Sequence, residues 1–200
     1  MYAYIRSRGY SDADAKDFTQ GFFERLLRLN GLAKADPRHG RLRSYLLSSV
    51  KNFLISQHEH AASQKRGGNV VITSFDEEWA GNAFATEPVD EMTPDRLYQR
   101  RWALTVLEFA FELLREEYVA DGKMEQYDRL RPMLGFTAEC ERNYADVSAQ
   151  MGVPVSTLKV HVHRLRQRWK EILREQVALT LADPTEENIK DELRELLDCV

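Results

Sequence analysis

Large apolar residues in this chain recur at steps of three and four, and no strand pattern survives beside that spacing. That spacing lays a stripe along one side of an α-helix, whereas a half-buried strand needs a period of two. The expected fold class is therefore all-α, without sheet and without internal repeat. Between Asp12 and Arg28, Phe18, Phe22 and Leu26 recur every fourth residue, and Phe23 and Leu27 widen the stripe. Ser11 is placed to cap this helix, and Asp12 and Asp14 suit its positive end. Turn formers from Lys34 to Gly40 (KADPRHG) separate it from a second pattern of Leu42, Leu46, Val50 or Phe53, and Leu54. This pattern runs to Lys65 and Arg66 and stops at Gly67-Gly68.

Beyond Gly67 the periodicity fades and the charge changes character. From Gly67 to Asp95 there are seven acidic residues and no Lys or Arg, with Gly, Pro and Thr accumulating. The segment reads as an acidic linker, 67–95, between two small helical domains. From Pro94, the residues Tyr98, Trp102, Val106, Phe109 and Leu113 mark a long amphipathic helix, and Met124 to Leu134 a shorter one. An acidic extension, 178–200, ends in a helical pattern carrying Ile189, Leu193 and Leu196. It is expected either to bind a protein or mask the chain itself, or to pack its apolar residues on the adjoining domain.

Composition excludes several classes of function. At 43% hydrophobic and 30% charged residues the chain is an ordinary globular one, and its net charge of −4 hides a basic segment. Val155 to Arg174 holds six Lys or Arg against one Glu. Cys140 and Cys199 lie outside any CxxC spacing, so neither a disulfide framework nor structural zinc is expected, and reduced thiols fit a cytoplasmic location. The most apolar segment, WALTVLEFAFELL, carries two Glu in 13 residues, so no membrane span or membrane partner is expected. There is no phosphate loop, no nucleophile beside a His and no paired metal ligands, so neither catalysis nor a cofactor is indicated. His161 and His163, like His58 and His60, are two apart and on a helix would face different ways.

The basic segment lies within Tyr144 to Trp169, YADVSAQMGVPVSTLKVHVHRLRQRW. Tyr144 to Met151 supplies a short helix, Gly152 suits the positive φ of a helix end, and Pro154 suits the start of the next. Val155, Leu158, Val162, Leu165, Trp169 and Ile172 form the inward stripe of that next helix. The outward side is then Ser156, Val160, His163 and Gln167, flanked by Thr157, Lys159, His161, Arg164 and Arg168. Short helix, tight turn and a second helix with donor-rich outer residues match the requirements of a helix-turn-helix reading duplex DNA. The plainer alternative is a solvated basic face.

Taken with two further segments, this motif resembles the bacterial RNA polymerase sigma factors of the extracytoplasmic-function type. DADAKDFTQGFFERLLR (Asp12 to Arg28) is similar to that family's core-binding helix, with Asp17 and Gln20 three apart before a Phe-rich run. GRLRSYLLSSVKNFLISQHEHAASQKRGG (Gly40 to Gly68) resembles the helix that opens and holds the minus-ten promoter element. The Tyr144 to Trp169 stretch is similar to the region that reads the minus-thirty-five element. The resemblance spans roughly residues 1 to 177, with a first domain at 1–66 and a helix-turn-helix domain at 96–177.

The resemblance implies a dissociable, non-enzymatic subunit whose partners are core RNA polymerase and promoter DNA, and it leaves room for an anti-sigma or other regulatory protein. Asp17, Gln20 and Glu24 would meet the clamp coiled coil of the largest polymerase subunit. Lys51, Asn52, Ser56, Gln57, Gln64, Lys65 and Arg66 would hold the melted minus-ten strand, and Ser156, Thr157, Lys159, Val160, His161, His163, Arg164 and Arg168 the minus-thirty-five duplex. The chain departs from the pattern in starting with a shorter first segment, and in carrying Ser56 and Glu59 where many members have Asp and Arg. A helix-turn-helix regulator that binds DNA without polymerase, and a helical interaction module, are the alternative readings.

Overall fold

The computed structural model describes residues 1–29, 41–66, 93–134 and 144–200, with 61–66 described by backbone alone. The turn-rich segment from Lys34, the Gly67-Gly68 stop, the acidic stretch through residue 92 and Cys140 lie outside the described residues. Along the described chain run α1 (Tyr2–Ser7), α2 (Asp12–Arg28), α3 (Leu42–Arg66), α4 (Pro94–Ala120) and α5 (Met124–Leu130). A 3-10 turn (Arg131–Leu134) follows, then α6 (Tyr144–Met151), α7 (Val155–Ala178) and α8 (Glu186–Asp198). The protein is all-α: among the described residues there is no strand, only an isolated bridge between Arg41 and Leu181. No described helix is long and apolar enough to cross a membrane.

The residues group into two compact units. The first comprises Met1–Ala103, Thr180–Pro184 and Arg194–Val200, and the second Leu104–Leu179 and Thr185–Leu193. The units therefore draw on more of the chain than 1–66 and 96–177, because the start of α4 belongs to the first and the 178–200 extension contributes to both.

In the first unit α2 starts where its cap chemistry places it, with the Ser11 hydroxyl accepting the Asp14 N–H at 3.1 Å. Phe22 and Leu26 are buried with Ala15, and Phe53 of α3 meets the Phe18 and Phe22 rings edge-on, with centroids 6.4 and 5.9 Å apart. Phe23 and Leu27 do not join this core: they are 41% and 64% exposed, because each lies 100° further round the helix than its buried neighbour. The start of α4 is fixed by Tyr98, whose buried hydroxyl donates to the Arg43 carbonyl at 3.1 Å. Burial pushes that phenol far above its ordinary pKa, so it stays a neutral donor.

The C-terminal residues of the first unit close on the start of α3. The Leu42 N–H donates to the Thr180 carbonyl at 3.0 Å, and Glu195 pairs with both Arg41 and Arg43. Leu196 is buried beside this carboxylate in sequence, and Cys199 lies 4.0 Å from Gln99 Oε1. These contacts hold Glu195 below the usual carboxylate range, with Arg41 contributing most.

In the second unit Ala110 and Leu114 of α4, Tyr127 and Leu130 of α5, and Leu158 and Leu165 of α7 are buried. The expected stripe of α4 named Phe109, which is instead 52% exposed, while Trp102, Val106 and Leu113 are half-buried. Ala110, and Ala103 in the part of α4 that belongs to the first unit, are fully buried instead.

Candidate nucleic-acid interface

The turn from α6 to α7 is built by local hydrogen bonds. Gly152 ends α6 at φ +64°, its N–H donating to the Ala149 carbonyl at 3.3 Å, while the Val153 N–H donates to the Ser148 carbonyl at 3.2 Å. This pair is the Schellman arrangement, in which a left-handed residue satisfies the last carbonyls of a helix. The buried Ser148 hydroxyl donates to the Val153 carbonyl at 2.5 Å and closes the turn. Pro154 then stands in extended geometry as the cap of α7, and its carbonyl accepts the Leu158 N–H at 3.0 Å.

The inner side of α7 is Leu158, Val162, Leu165, Ile172, Leu173 and Val177. Two expected members differ. Val155 is 39% exposed, since the first residue of a helix projects beyond the turn that would cover it, and Trp169 is half-buried. Trp169 stacks on Phe111 of α4 with centroids 5.0 Å apart.

Of the eight residues expected to read duplex DNA, Ser156, Lys159, Val160, His163 and Arg164 are exposed along one side of α7. Lys159 Nζ lies 6.0 Å from the Tyr144 ring centroid, and Thr157 is half-buried at the edge. The remaining two, seven residues apart on the opposite flank, are occupied by neighbouring helices. His161 Nδ1 lies 3.4 Å from Gln126 of α5, and Arg168 binds Glu117 of α4 at two points, 2.6 and 2.9 Å. His161 and His163 thus face different surroundings and do not converge on a shared ligand. Glu171, four residues beyond Gln167 and three beyond Arg168, accepts from both; the Gln167 amide does most to hold its carboxyl below the usual range.

Residues expected to hold a melted strand lie on α3. Asn52 is exposed, Ser56 and Gln57 are half-buried, and Lys51 pairs with Asp95 of α4 at 2.6 Å. The side chains of Gln64, Lys65 and Arg66 lie outside the described residues. Ile55, 46% exposed one turn beyond Asn52, joins this side and was not singled out by its sequence because its aliphatic side chain reads as core.

The expected partner-binding residues Asp17, Gln20 and Glu24 are exposed along one side of α2. Phe23 and Leu27 stand beside them, so this surface is apolar as well as charged. Their exposure escaped the sequence because a two-residue-wide stripe looks the same whether one or both columns are buried. Glu117, the anchor of Arg168, likewise carries no signal, since nothing in a helical period marks a pair 51 residues apart. The chain matches no protein-family model, no curated protein and no solved structure.

Proposed function

We propose that this protein is a sigma factor of the extracytoplasmic-function type, a subunit that lends promoter specificity to bacterial RNA polymerase in the cytoplasm. The observation that carries the reading is the side of α2 where exposed Asp17, Gln20 and Glu24 flank exposed Phe23 and Leu27. A surface mixing apolar anchors with hydrogen-bonding groups suits a protein partner. A regulator that binds DNA alone has no need of it. In this reading α6, the glycine turn and α7 are a helix-turn-helix in the second of two helical domains, and Ser156, Lys159, Val160, His163 and Arg164 face the minus-thirty-five duplex.

The exposed Asn52, with Ser56 and Gln57, holds the melted minus-ten strand, a role the resemblance also gives to Gln64, Lys65 and Arg66. Lys51 joins it by exchanging Asp95 for a phosphate. The acidic segment 67–95 is the linker expected from its composition, and its like charges suit a chain whose two domains engage separate promoter elements. The test is to mix the purified chain with bacterial core polymerase and assay complex formation and specific initiation on a promoter library. A stable complex, lost in a D17A/Q20A/E24A variant, is the expected result. A chain that shifts duplex DNA but never joins core polymerase overturns the reading in favour of a stand-alone helix-turn-helix regulator.

A further inference from the structure

Arg168 stands apart from the exposed residues of α7 because carboxylates surround it. Its Nη2 and Nε donate to the two oxygens of Glu117, and its Nη1 donates to Glu171 at 3.2 Å and to Glu175 at 3.4 Å. Three carboxylates around one guanidinium leave this cluster net negative, which repels a phosphate backbone rather than attracting it. The nearest backbone neighbours of α7 are α6, the 3-10 turn and α5. α4 meets it through long side chains, the Phe111–Trp169 stack and the Glu117–Arg168 fork.

Two helices bridged by side chains can roll against each other unless a directional contact prevents it. A stack of flat rings resists separation but permits sliding, whereas a guanidinium seated on a carboxylate fixes both distance and plane. Exposed ion pairs are weak in general, and the exceptions are two-point geometry and membership of a network, both present here.

We propose that Arg168 is a positioning residue: seated on Glu117, it sets the roll of α7 against α4 and so aims Ser156, Lys159, Val160, His163 and Arg164 at duplex DNA. The aiming rests on the duplex-reading role of α7 proposed above. Glu117 has no direct part in binding, yet its loss misdirects the helix as much as the loss of Arg168 does.

Glu117→Ala separates this from a phosphate-binding Arg168. Removing a carboxylate beside a phosphate ligand would tighten DNA binding; removing the seat of a positioning residue weakens it. Binding is measured, with the chain joined to bacterial core polymerase, to duplexes that the wild-type complex enriches from a random-sequence pool. R168A and E117A are each expected to weaken binding about fivefold or more with an unchanged salt slope, and the swapped pair R168E/E117R to recover much of it. A second readout needs no DNA: in a C140S/C199S background, spin labels at Glu116→Cys and Lys170→Cys report the α4–α7 distance. That distribution is expected to broaden in R168A and narrow again in the swapped pair.

The proposal is overturned if E117A tightens binding, if R168A lowers the salt slope by about one, or if the labelled distance stays narrow in R168A. A wild-type complex with core polymerase that enriches no duplex removes the duplex-reading role and the aiming with it, even where the labels show the pair holding the two helices.

Discussion

At the scale of single residues, the outer side of α7 separates two kinds of cation. Arg164 is exposed among Val160 and His163, where a planar fork suits a base edge, whereas Lys159 is a point charge suited to the backbone. Arg164→Ala is expected to cost about 1–3 kcal/mol of binding to the preferred duplex and to relax discrimination there. Lys159→Ala is expected to weaken binding across all sequences and to lower the salt slope by about one, as titrations at several salt concentrations would show. Glu195 carries a prediction in pH. Arg41 and Arg43 hold its folded pKa below the ordinary 4.5, so its contribution to stability is present above that value and is lost as pH falls through the folded pKa. The difference in melting temperature between wild type and Glu195→Gln should be constant near neutrality and shrink once the pH drops below 4.5.

At the scale of elements, the turn before α7 depends on one backbone conformation. Gly152 holds φ +64°, and a Cβ added there would meet no atom within 4 Å. The cost of Gly152→Ala is therefore conformational, about 1–2 kcal/mol, and is expected as a shifted denaturant midpoint with an unchanged slope. The same turn was legible in the sequence, because Gly-Val-Pro states its geometry locally. So were the ends of α2, with Ser11 as cap. α1 was not, since six residues are too few to display a helical period. The faces of α4 and α7 were only partly legible. Large side chains draw the eye to Phe109 and Trp169, whereas the seams run through Ala103 and Ala110 and, in α7, through Leu173 and Val177. A stripe also drifts around a 24-residue helix, so the residues that begin it are not spaced like those that end it.

At the scale of the whole molecule, the destination of the C-terminal residues was the least legible feature. Arg41, Arg43 and Glu195 are separated by some 150 residues, and a charge pair at that distance leaves no trace in local pattern. Of the two expectations for the extension, packing of its apolar residues is what Ile189 and Leu196 display, both being buried. A chain ending at Leu193 should lose the burial of Leu196, about 2 kcal/mol, together with the Glu195 pairs. Amide exchange along α3 from Leu42 to Leu54 is expected to quicken by about 30-fold, and exchange at the wild-type rate would show that Arg194–Val200 adds nothing to the first unit.

The same segment has a consequence for biosynthesis. The first unit takes in Met1–Ala103 and then Arg194–Val200, so about 90 residues must be translated between its main body and its last piece. At 5–20 residues per second this is an interval of roughly 5–20 s. During it α2, α3 and the start of α4 emerge from the ribosome with Arg41 and Arg43 still lacking the Glu195 carboxylate. A nascent chain thus passes through a stage in which its N-terminal half is made but not closed, and the second unit has most of its sequence before the first is finished.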